Sequence, residues 1–192
     1  MFESILKLIE EQYAPLSKEC QDELIQQASI LNKTKGSVLI REGQYADQVY
    51  YIIKGCARAY YLNDGRDISD WFAFENGFIS SIVSFSTGEP SPHYVEVLED
   101  SMLLELSKAQ VENLAKRYHD FEHLLRVILT ETALQQRTRI SSILFQKAEQ
   151  RYEKLLNIYP DVLRRVPLTH IASYLGITLE TLSRIRRPHS AL

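Results

Sequence analysis

The stretch 167-PLTHIASYLGITLETLSRIRR-187 decides the fold of the C-terminal part of this chain. Gly176 divides it, and glycine adopts the positive φ of a sharp turn at little cost. Thr178 is placed to cap a second helix, with Glu180 in the first turn, where the helix dipole favours an anion. The apolar residues on either side keep a helical spacing: Ile171, Leu175, Ile177, Leu182 and Ile185. The pattern predicts a helix-turn-helix.

The second of these helices carries a polar face suited to reading DNA bases. Glu180, Ser183, Arg184 and Arg187 are spaced i, i+3, i+4 and i+7, so they share one face opposite the apolar residues. Arginine makes bidentate contacts to guanine, and glutamate accepts from the amino group of cytosine. The sequence therefore predicts a DNA-recognition helix in the major groove. An ordinary helical hairpin with a solvated polar face is the other interpretation.

Five further residues complete the predicted DNA-contacting set. Leu179 precedes Glu180 and is a candidate for contact with a thymine methyl group. Thr169 and Thr178 lie near the starts of the two helices, and Arg164 and Arg165 are candidate phosphate contacts in the preceding segment. Few residues follow Pro188, so a β-wing, if present, is expected from the VLRRVP segment.

Composition places the chain among globular proteins. Of its 192 residues, 45% are hydrophobic and 24% are charged, and no apolar run approaches the roughly 20 residues of a membrane span. The N-terminal sequence MFESILKLIEEQY is acidic and lacks the features of a signal peptide. We therefore expect a cytoplasmic protein without a membrane partner. Residues 151–192 contain seven basic and three acidic residues and therefore carry a charge of +4. Because the whole chain carries −3, residues 1–150 carry −7. This asymmetry favours an acidic sensing domain joined to a basic DNA-reading domain.

The first two thirds of the chain change from a helical to a strand-like pattern and then back. Residues 1–32 have a helical pattern, whereas from Lys35 to about Leu106 glycines separate short runs of Val, Ile, Tyr and Phe. Such runs predict a small antiparallel β-roll, with a hairpin turn at 63–65 (Asn-Asp-Gly). A long helix is predicted from 119 to 146, with the following stripe: Leu124, Leu125, Ile128, Thr132 and Gln135. Pairing with a second copy would bury this stripe, and packing against the roll is the alternative.

Together these features resemble the Crp/Fnr family of bacterial transcription regulators. KGSVLIREG, YYIIKG and NDGR resemble the start of the family's cyclic-nucleotide-binding-type domain, and AEQRYEKLLNIYP followed by HIASYLGITLETLSRIRR resembles its DNA-binding domain. The resemblance implies an α+β fold with an antiparallel β-roll and flanking helices at 1–118, a long dimerisation helix at 119–146, and a helix-turn-helix (winged-helix-like) domain at 147–192. The Glu180-x-x-Ser183-Arg184 pattern resembles the Fnr branch.

The expected effector pocket departs from the cyclic-nucleotide pattern. Cyclic-nucleotide binders of this type carry a Gly-Glu pair and a nearby Arg-Ser or Arg-Thr pair, whereas this chain has Ser80-Ser81 and Ser91-Pro92. A partly buried phosphate needs a charged or strongly donating partner, so we expect no tight binding of cyclic AMP. The hydroxyls and nearby aromatic rings are candidates for another small-molecule pocket: Trp71, Phe72, Ser80, Ser81 and Ser91. A core of aromatic side chains beneath a polar loop is the other interpretation.

Neither an enzyme nor a metal site is predicted. The roll contains a single histidine, His93, whereas a metal-dependent enzyme on such a roll needs about three ligands. Cys56 lies in an apolar run without a neighbouring base, and no cofactor-binding motif is present. We expect a homodimeric DNA-binding regulator, with double-stranded DNA, RNA polymerase and an unidentified effector as partners. The alternative is a ligand-binding module whose helical tail binds protein.

Overall fold

The computed structural model describes residues 1–186, in which helices flank a β-roll at both ends of the chain. The strands are β1 Ser29–Lys33, β2 Val38–Ile40, β3 Gln48–Lys54, β4 Ala57–Asn63, β5 Arg66–Ala73, β6 Phe78–Ile79, β7 Tyr94–Val97 and β8 Ser101–Ser107. The helices are α1 Phe2–Gln12, α2 Lys18–Gln27, α3 Ile82–Thr87, α4 Lys108–Arg117, α5 His119–Phe145, α6 Ala148–Ile158, α7 Val162–Arg165, α8 Leu168–Tyr174 and α9 Leu179–Ile185.

Two four-stranded antiparallel sheets form the roll. Their strand orders are β1-β8-β3-β6 and β2-β7-β4-β5, so β5 is an edge strand. The β4–β5 hairpin closes where Asn63 pairs with Arg66, and Asp64 (φ 49°) and Gly65 (φ 74°) both have positive φ. Positive φ at both central residues matches the right-handed twist of the strands. The hairpin predicted at 63–65 is therefore present.

The strands begin earlier than the sequence pattern suggests. The helical pattern was expected to continue to residue 32, but α2 ends at Gln27 and β1 begins at Ser29. Ile30 pairs with Leu104 and Leu31 with Leu103 in β8, about 70 residues later in the chain. Local periodicity does not report such long-range pairing.

Three hydrophobic clusters hold the elements together. The first joins α1, α2, α4 and α5 to the β1-β8-β3-β6 sheet, and the second fills the roll. The third joins Cys56, Phe72 and Leu98 of the roll to residues of the C-terminal helices, including Leu155 and Ile171. The C-terminal helices thus pack on the roll. The α+β fold expected from the sequence is confirmed, although the VLRRVP segment forms α7 and no strand follows β8 within residues 1–186.

Candidate nucleic-acid interface

The turn between α8 and α9 is built around one glycine. Gly176 has a φ of 67°, and a Cβ placed there would meet no heavy atom within 4 Å. The backbone conformation, not a lack of space, therefore requires glycine. The N–H groups of Gly176 and Ile177 donate to the carbonyls of Ser173 (3.1 Å) and Ala172 (3.0 Å). These bonds satisfy carbonyl groups at the end of α8 and fix the direction in which α9 leaves.

Thr178 caps the N-terminus of α9. Its Oγ1 accepts a hydrogen bond from the backbone N–H of Thr181 at 3.1 Å, which satisfies one of the unpaired N–H groups of the first turn. Glu180 follows in that turn, where the positive end of the helix dipole favours its charge. The cap predicted at Thr178 is present, so the start of α9 is fixed by local sequence.

The two faces of α9 differ as the spacing predicts. Leu182 is fully buried against Ile171 and other apolar residues of the third cluster. Glu180, Ser183 and Arg184 are exposed on the other face. Within residues 1–186 neither Glu180 nor Arg184 forms a salt bridge. Arg187 lies outside the described residues.

The remaining predicted contacts are exposed with one exception. Thr169, Thr178 and Leu179 all lie at the surface. Arg164 is also exposed and forms a salt bridge with the exposed Asp161 (3.1 Å). Because an exposed salt bridge contributes little to stability, Arg164 can leave Asp161 at little cost in free energy.

Arg165 is the exception because its guanidinium faces the roll. It donates to Glu75 through Nη1 (2.8 Å) and Nη2 (2.7 Å), to Glu99 through Nε (3.0 Å), and to the carbonyl of Gly55 (2.9 Å). The hydrogen bonds to Glu75 and, to a smaller extent, to Glu99 raise the pKa of Arg165, whereas partial burial acts in the opposite direction. In this arrangement each of the three nitrogen atoms of the guanidinium donates to the roll. In this structure Arg165 therefore faces the roll, and its role as a phosphate contact stays a prediction.

A second arginine joins the roll to α8. Arg58 of β4 is 3% exposed and is held by both carboxylate oxygens of Asp67 (2.6 Å each) and by Glu96 (2.7 Å). Its Nη1 also lies 2.9 Å from Nδ1 of His170 in α8. Because guanidinium nitrogens only donate, Nδ1 of His170 accepts. Burial, together with the charge of Arg58, lowers the pKa of His170 below its usual value.

A third arginine and a backbone contact also join the roll to α8, and together with the contacts of Arg58 and Arg165 they form the junction between the roll and the C-terminal helices. Arg139 of α5 pairs with Asp70 of β5 (3.2 Å), and its guanidinium lies 4.9 Å from the ring centre of Tyr174 in α8. The Ser69 N–H of the edge strand β5 donates to Oγ of Ser173 (3.0 Å). The α8 helix therefore covers a sheet edge that would otherwise expose unpaired backbone groups.

Sequence reasoning missed the junction formed by Arg58, Arg139 and Arg165. One signal was present, since Arg58 lies within the largely apolar run IIKGCARAYY. A charge at such a position needs a buried partner. The partners lie 9 and 38 residues along the chain at Asp67 and Glu96, so spacing alone does not identify them.

The residues predicted for the effector pocket do not line a single cavity. Trp71 and Ser80 line an apolar cavity of about 170 Å³. Oγ of Ser91 instead lies within hydrogen-bond distance of two groups of the roll, Oγ of Ser81 (2.8 Å) and the carbonyl of His93 (2.7 Å), and its single proton is donated to one of them at a time. Phe72 packs against Tyr174, with ring centres 4.9 Å apart. Phe72 thus belongs to the junction with the C-terminal helices.

The cysteine, histidine and acidic side chains are the candidate groups for catalysis or metal binding. Cys20 and Cys56 are fully buried, and burial raises the pKa of each thiol to about 12, so both are protonated at neutral pH. Within residues 1–186 no group of three or more His, Cys, Asp or Glu side chains is arranged to hold a metal ion. In the same range no helix has both the length and the hydropathy of a membrane span.

Comparisons with known proteins agree with this architecture. Residues 31–118 match the family model described as the cyclic nucleotide-binding domain. FixK2 from Bradyrhizobium japonicum is 20% identical, with a TM-score of 0.69 over 82% of each chain. A Crp/Fnr-family protein from Eubacterium rectale is 16% identical, with a TM-score of 0.69 over 88% of this chain and 82% of that one. The Thermus thermophilus catabolite activator protein is 17% identical, with a TM-score of 0.59 over 93% of this chain and 84% of that one. No curated protein sequence matches.

Proposed function

We propose that this chain, which has the fold of the Crp/Fnr regulators and a cyclic nucleotide-binding-type domain at residues 31–118, binds DNA sequence-specifically and regulates transcription. The observation that carries the proposal is the division of α9 into two faces. Leu182 anchors the helix in the core, while Glu180, Ser183 and Arg184 project from it as an exposed polar surface. A helix of this kind fits the major groove with its N-terminal residues toward the bases.

The side chains on α9 suggest a division of roles. Arg184 reads guanine through two parallel hydrogen bonds, and Glu180 accepts from the amino group of cytosine or adenine. Ser183 or Leu179 contacts a thymine. Thr169, Thr178 and Arg164 hold the phosphate backbone, which sets the position of the helix without reading sequence.

We further propose that the protein acts as a homodimer through α5. Only Phe121 and Leu124 are buried in this 27-residue helix. The stripe predicted for dimerisation begins with Leu124, Leu125 and Ile128, and these residues pack on the roll. A second line of residues follows the four-three spacing of a coiled-coil seam: Leu129, Ala133, Gln136, Ile140 and Ile143. Leu129, Ile140 and Ile143 are exposed, and pairing with a second copy would bury them.

The lack of a charged group at the expected phosphate position supports a response to something other than cyclic AMP. Ser81 and Ser91 bond to each other inside the roll. Neither pairs with an arginine in the described residues. An effector changes DNA binding only if it favours one arrangement of the C-terminal helices over another. The junction around Arg165 defines one such arrangement.

The decisive experiment selects bound sequences from a random pool of DNA duplexes. A selected duplex is then titrated by fluorescence anisotropy with wild type, Arg184→Ala and, as a control, Arg41→Ala, which removes an exposed arginine of the roll. We expect Arg184→Ala to lose about 1–3 kcal/mol of discrimination at one base position, and Arg41→Ala to keep it. Equal selectivity in all three proteins would contradict the role of Arg184. Absence of any salt-dependent DNA affinity would instead favour a helical tail that binds protein.

A further inference from the structure

An apolar cavity of about 170 Å³ lies among the β1-β8-β3-β6 sheet, α3 and α5. Four elements supply buried apolar side chains to its walls: Ile9, Leu104, Leu106, Val111 and Leu124. Ile82, Ser86 and Leu129 are exposed lining residues, so they mark its opening. Leu129 also begins the proposed dimer seam, so a second copy would border this opening. The cavity is thus bordered by the folded core and opens to solvent between α3 and α5.

The polar groups around this cavity are few, and two of them are occupied. Oγ of Ser80 donates to the carbonyl of Gln48 (2.6 Å), and Oγ1 of Thr132 donates to the carbonyl of Ile128 (2.9 Å). None of the lining residues among the described part of the chain is charged. A charged ligand would lose its hydration here without a compensating partner. A water molecule is also poorly stabilised in this cavity, because a buried water needs hydrogen bonds to two to four polar partners.

The size of the cavity identifies a class of ligand. A cavity of about 150 Å³ lined by hydrocarbon side chains stays dry and takes up benzene, and this one is slightly larger. We propose that the cavity binds a small uncharged apolar molecule of about the size of one aromatic ring. The hydrogen-bonded pair Ser81 and Ser91, where the cyclic-nucleotide pattern would have its phosphate, does not line this cavity, although the neighbouring Ser80 does.

A ligand in this cavity would touch both α3 and α5. Ile82 and Phe85 line it from α3, and Leu125, Ile128 and Leu129 line it from α5. A bound ligand therefore stabilises the distance between α3 and α5 that matches its size. The consequence of that preference for DNA rests on the proposed function, so the binding itself is best measured without DNA.

Fluorobenzene is a suitable probe because it has the required size and gives a fluorine NMR signal. Trp71, the only tryptophan in the chain, lines the cavity and supplies a fluorescence signal. We expect saturable binding by both signals in the full chain, together with a rise in the thermal unfolding midpoint. Val111→Phe fills the cavity from α4 and should weaken binding at least tenfold. Val83→Phe, on the exposed side of α3 and outside the lining, is the matched control and should change it less than twofold.

A replacement variant and two competitors test whether fluorobenzene binds inside this cavity. If Val111→Phe is not folded by circular dichroism, Val49→Ile takes its place and should weaken binding severalfold. Benzoate, which adds a charge to the same ring, should not displace fluorobenzene. Three results would overturn the proposal: no saturable binding to wild type, equal binding to the cavity-filling variant and wild type, or displacement by cyclic AMP. A partner copy that fills the cavity would give the first of these.

Discussion

Gly176 shows how one residue fixes the geometry of the candidate DNA-reading unit. Its φ of 67° lies in the left-handed region, which costs other residues roughly 1–2 kcal/mol. We expect Gly176→Ala to lower the free energy of unfolding by about that amount, as measured by urea denaturation. Gly176→Asn should lose less, because asparagine tolerates this conformation better. Equal losses in the two variants would mean that steric crowding, not backbone conformation, governs the position.

His170 makes the junction between the roll and α8 sensitive to pH. Burial and the nearby Arg58 lower its pKa below the ordinary value of 6.5, with Asp67 and Glu96 acting in the opposite direction. The folded form therefore resists protonation, while the unfolded form accepts the proton near pH 6.5. The stabilisation is present above that pH and is lost as the pH falls through the folded pKa.

This predicts a specific difference between wild type and His170→Asn. Asparagine keeps an acceptor for Arg58 but does not titrate. On going from about pH 7.5 to about pH 5.5, we expect the urea unfolding midpoint to fall further in wild type than in His170→Asn. His93, whose pKa is also lowered by burial, is common to both proteins and cancels in the comparison. Parallel midpoints over this range would contradict the role of His170.

At the scale of elements, α5 carries two apolar faces that the sequence does not distinguish. Leu124, Leu125 and Ile128 pack on the roll, whereas Leu129, Ile140 and Ile143 remain exposed. Both sets repeat every three to four residues, so the periodicity reports a helix but not which face meets which partner. That choice depends on where the roll lies. Pairings such as β1 with β8 decide that position over long stretches of chain.

The exposed face of α5 predicts the assembly state. Ile140→Asp places a charge in the middle of the proposed seam, and burial of an unpaired carboxylate is strongly unfavourable. We expect wild type to be a dimer by light scattering coupled to size exclusion, and Ile140→Asp to shift toward monomer by at least tenfold in dissociation constant. Thr138→Asp adds the same charge at an exposed residue outside the seam and should leave the dimer intact. A monomeric wild type would refute the proposed pairing.

Local chemistry made α9 and the β4–β5 hairpin predictable, whereas the junction between roll and C-terminal helices was not. Thr178 and Gly176 act on their immediate neighbours, so their effect is visible in the sequence. Arg165 bonds to Glu75 and Glu99, which lie 90 and 66 residues away. Arginine suits both an exposed phosphate contact and a salt bridge between the roll and the C-terminal helices. Only the packing of the whole molecule tells them apart.

For the whole molecule, the salt bridges of Arg165 with Glu75 and Glu99 predict that the roll and a DNA phosphate compete for one guanidinium. Glu75 and Glu99 now hold the guanidinium that a DNA phosphate would otherwise attract. Glu75→Gln with Glu99→Gln weakens that hold without altering any residue of the proposed DNA-reading surface. We expect severalfold tighter binding to a selected duplex. The slope of log affinity against log salt should become steeper by about 0.9 for each Arg165 that gains a phosphate.

The matched control separates this release from a general change in charge. Glu42→Gln with Glu89→Gln removes the same two charges from exposed positions of the roll, so it changes the overall field by a similar amount. If the control tightens binding as much as the Glu75 and Glu99 pair, long-range electrostatics accounts for the effect and the salt bridges of Arg165 do not. If the Glu75 and Glu99 pair weakens binding, the arrangement with Arg165 held on the roll is itself the DNA-binding one, because releasing the helices then costs affinity.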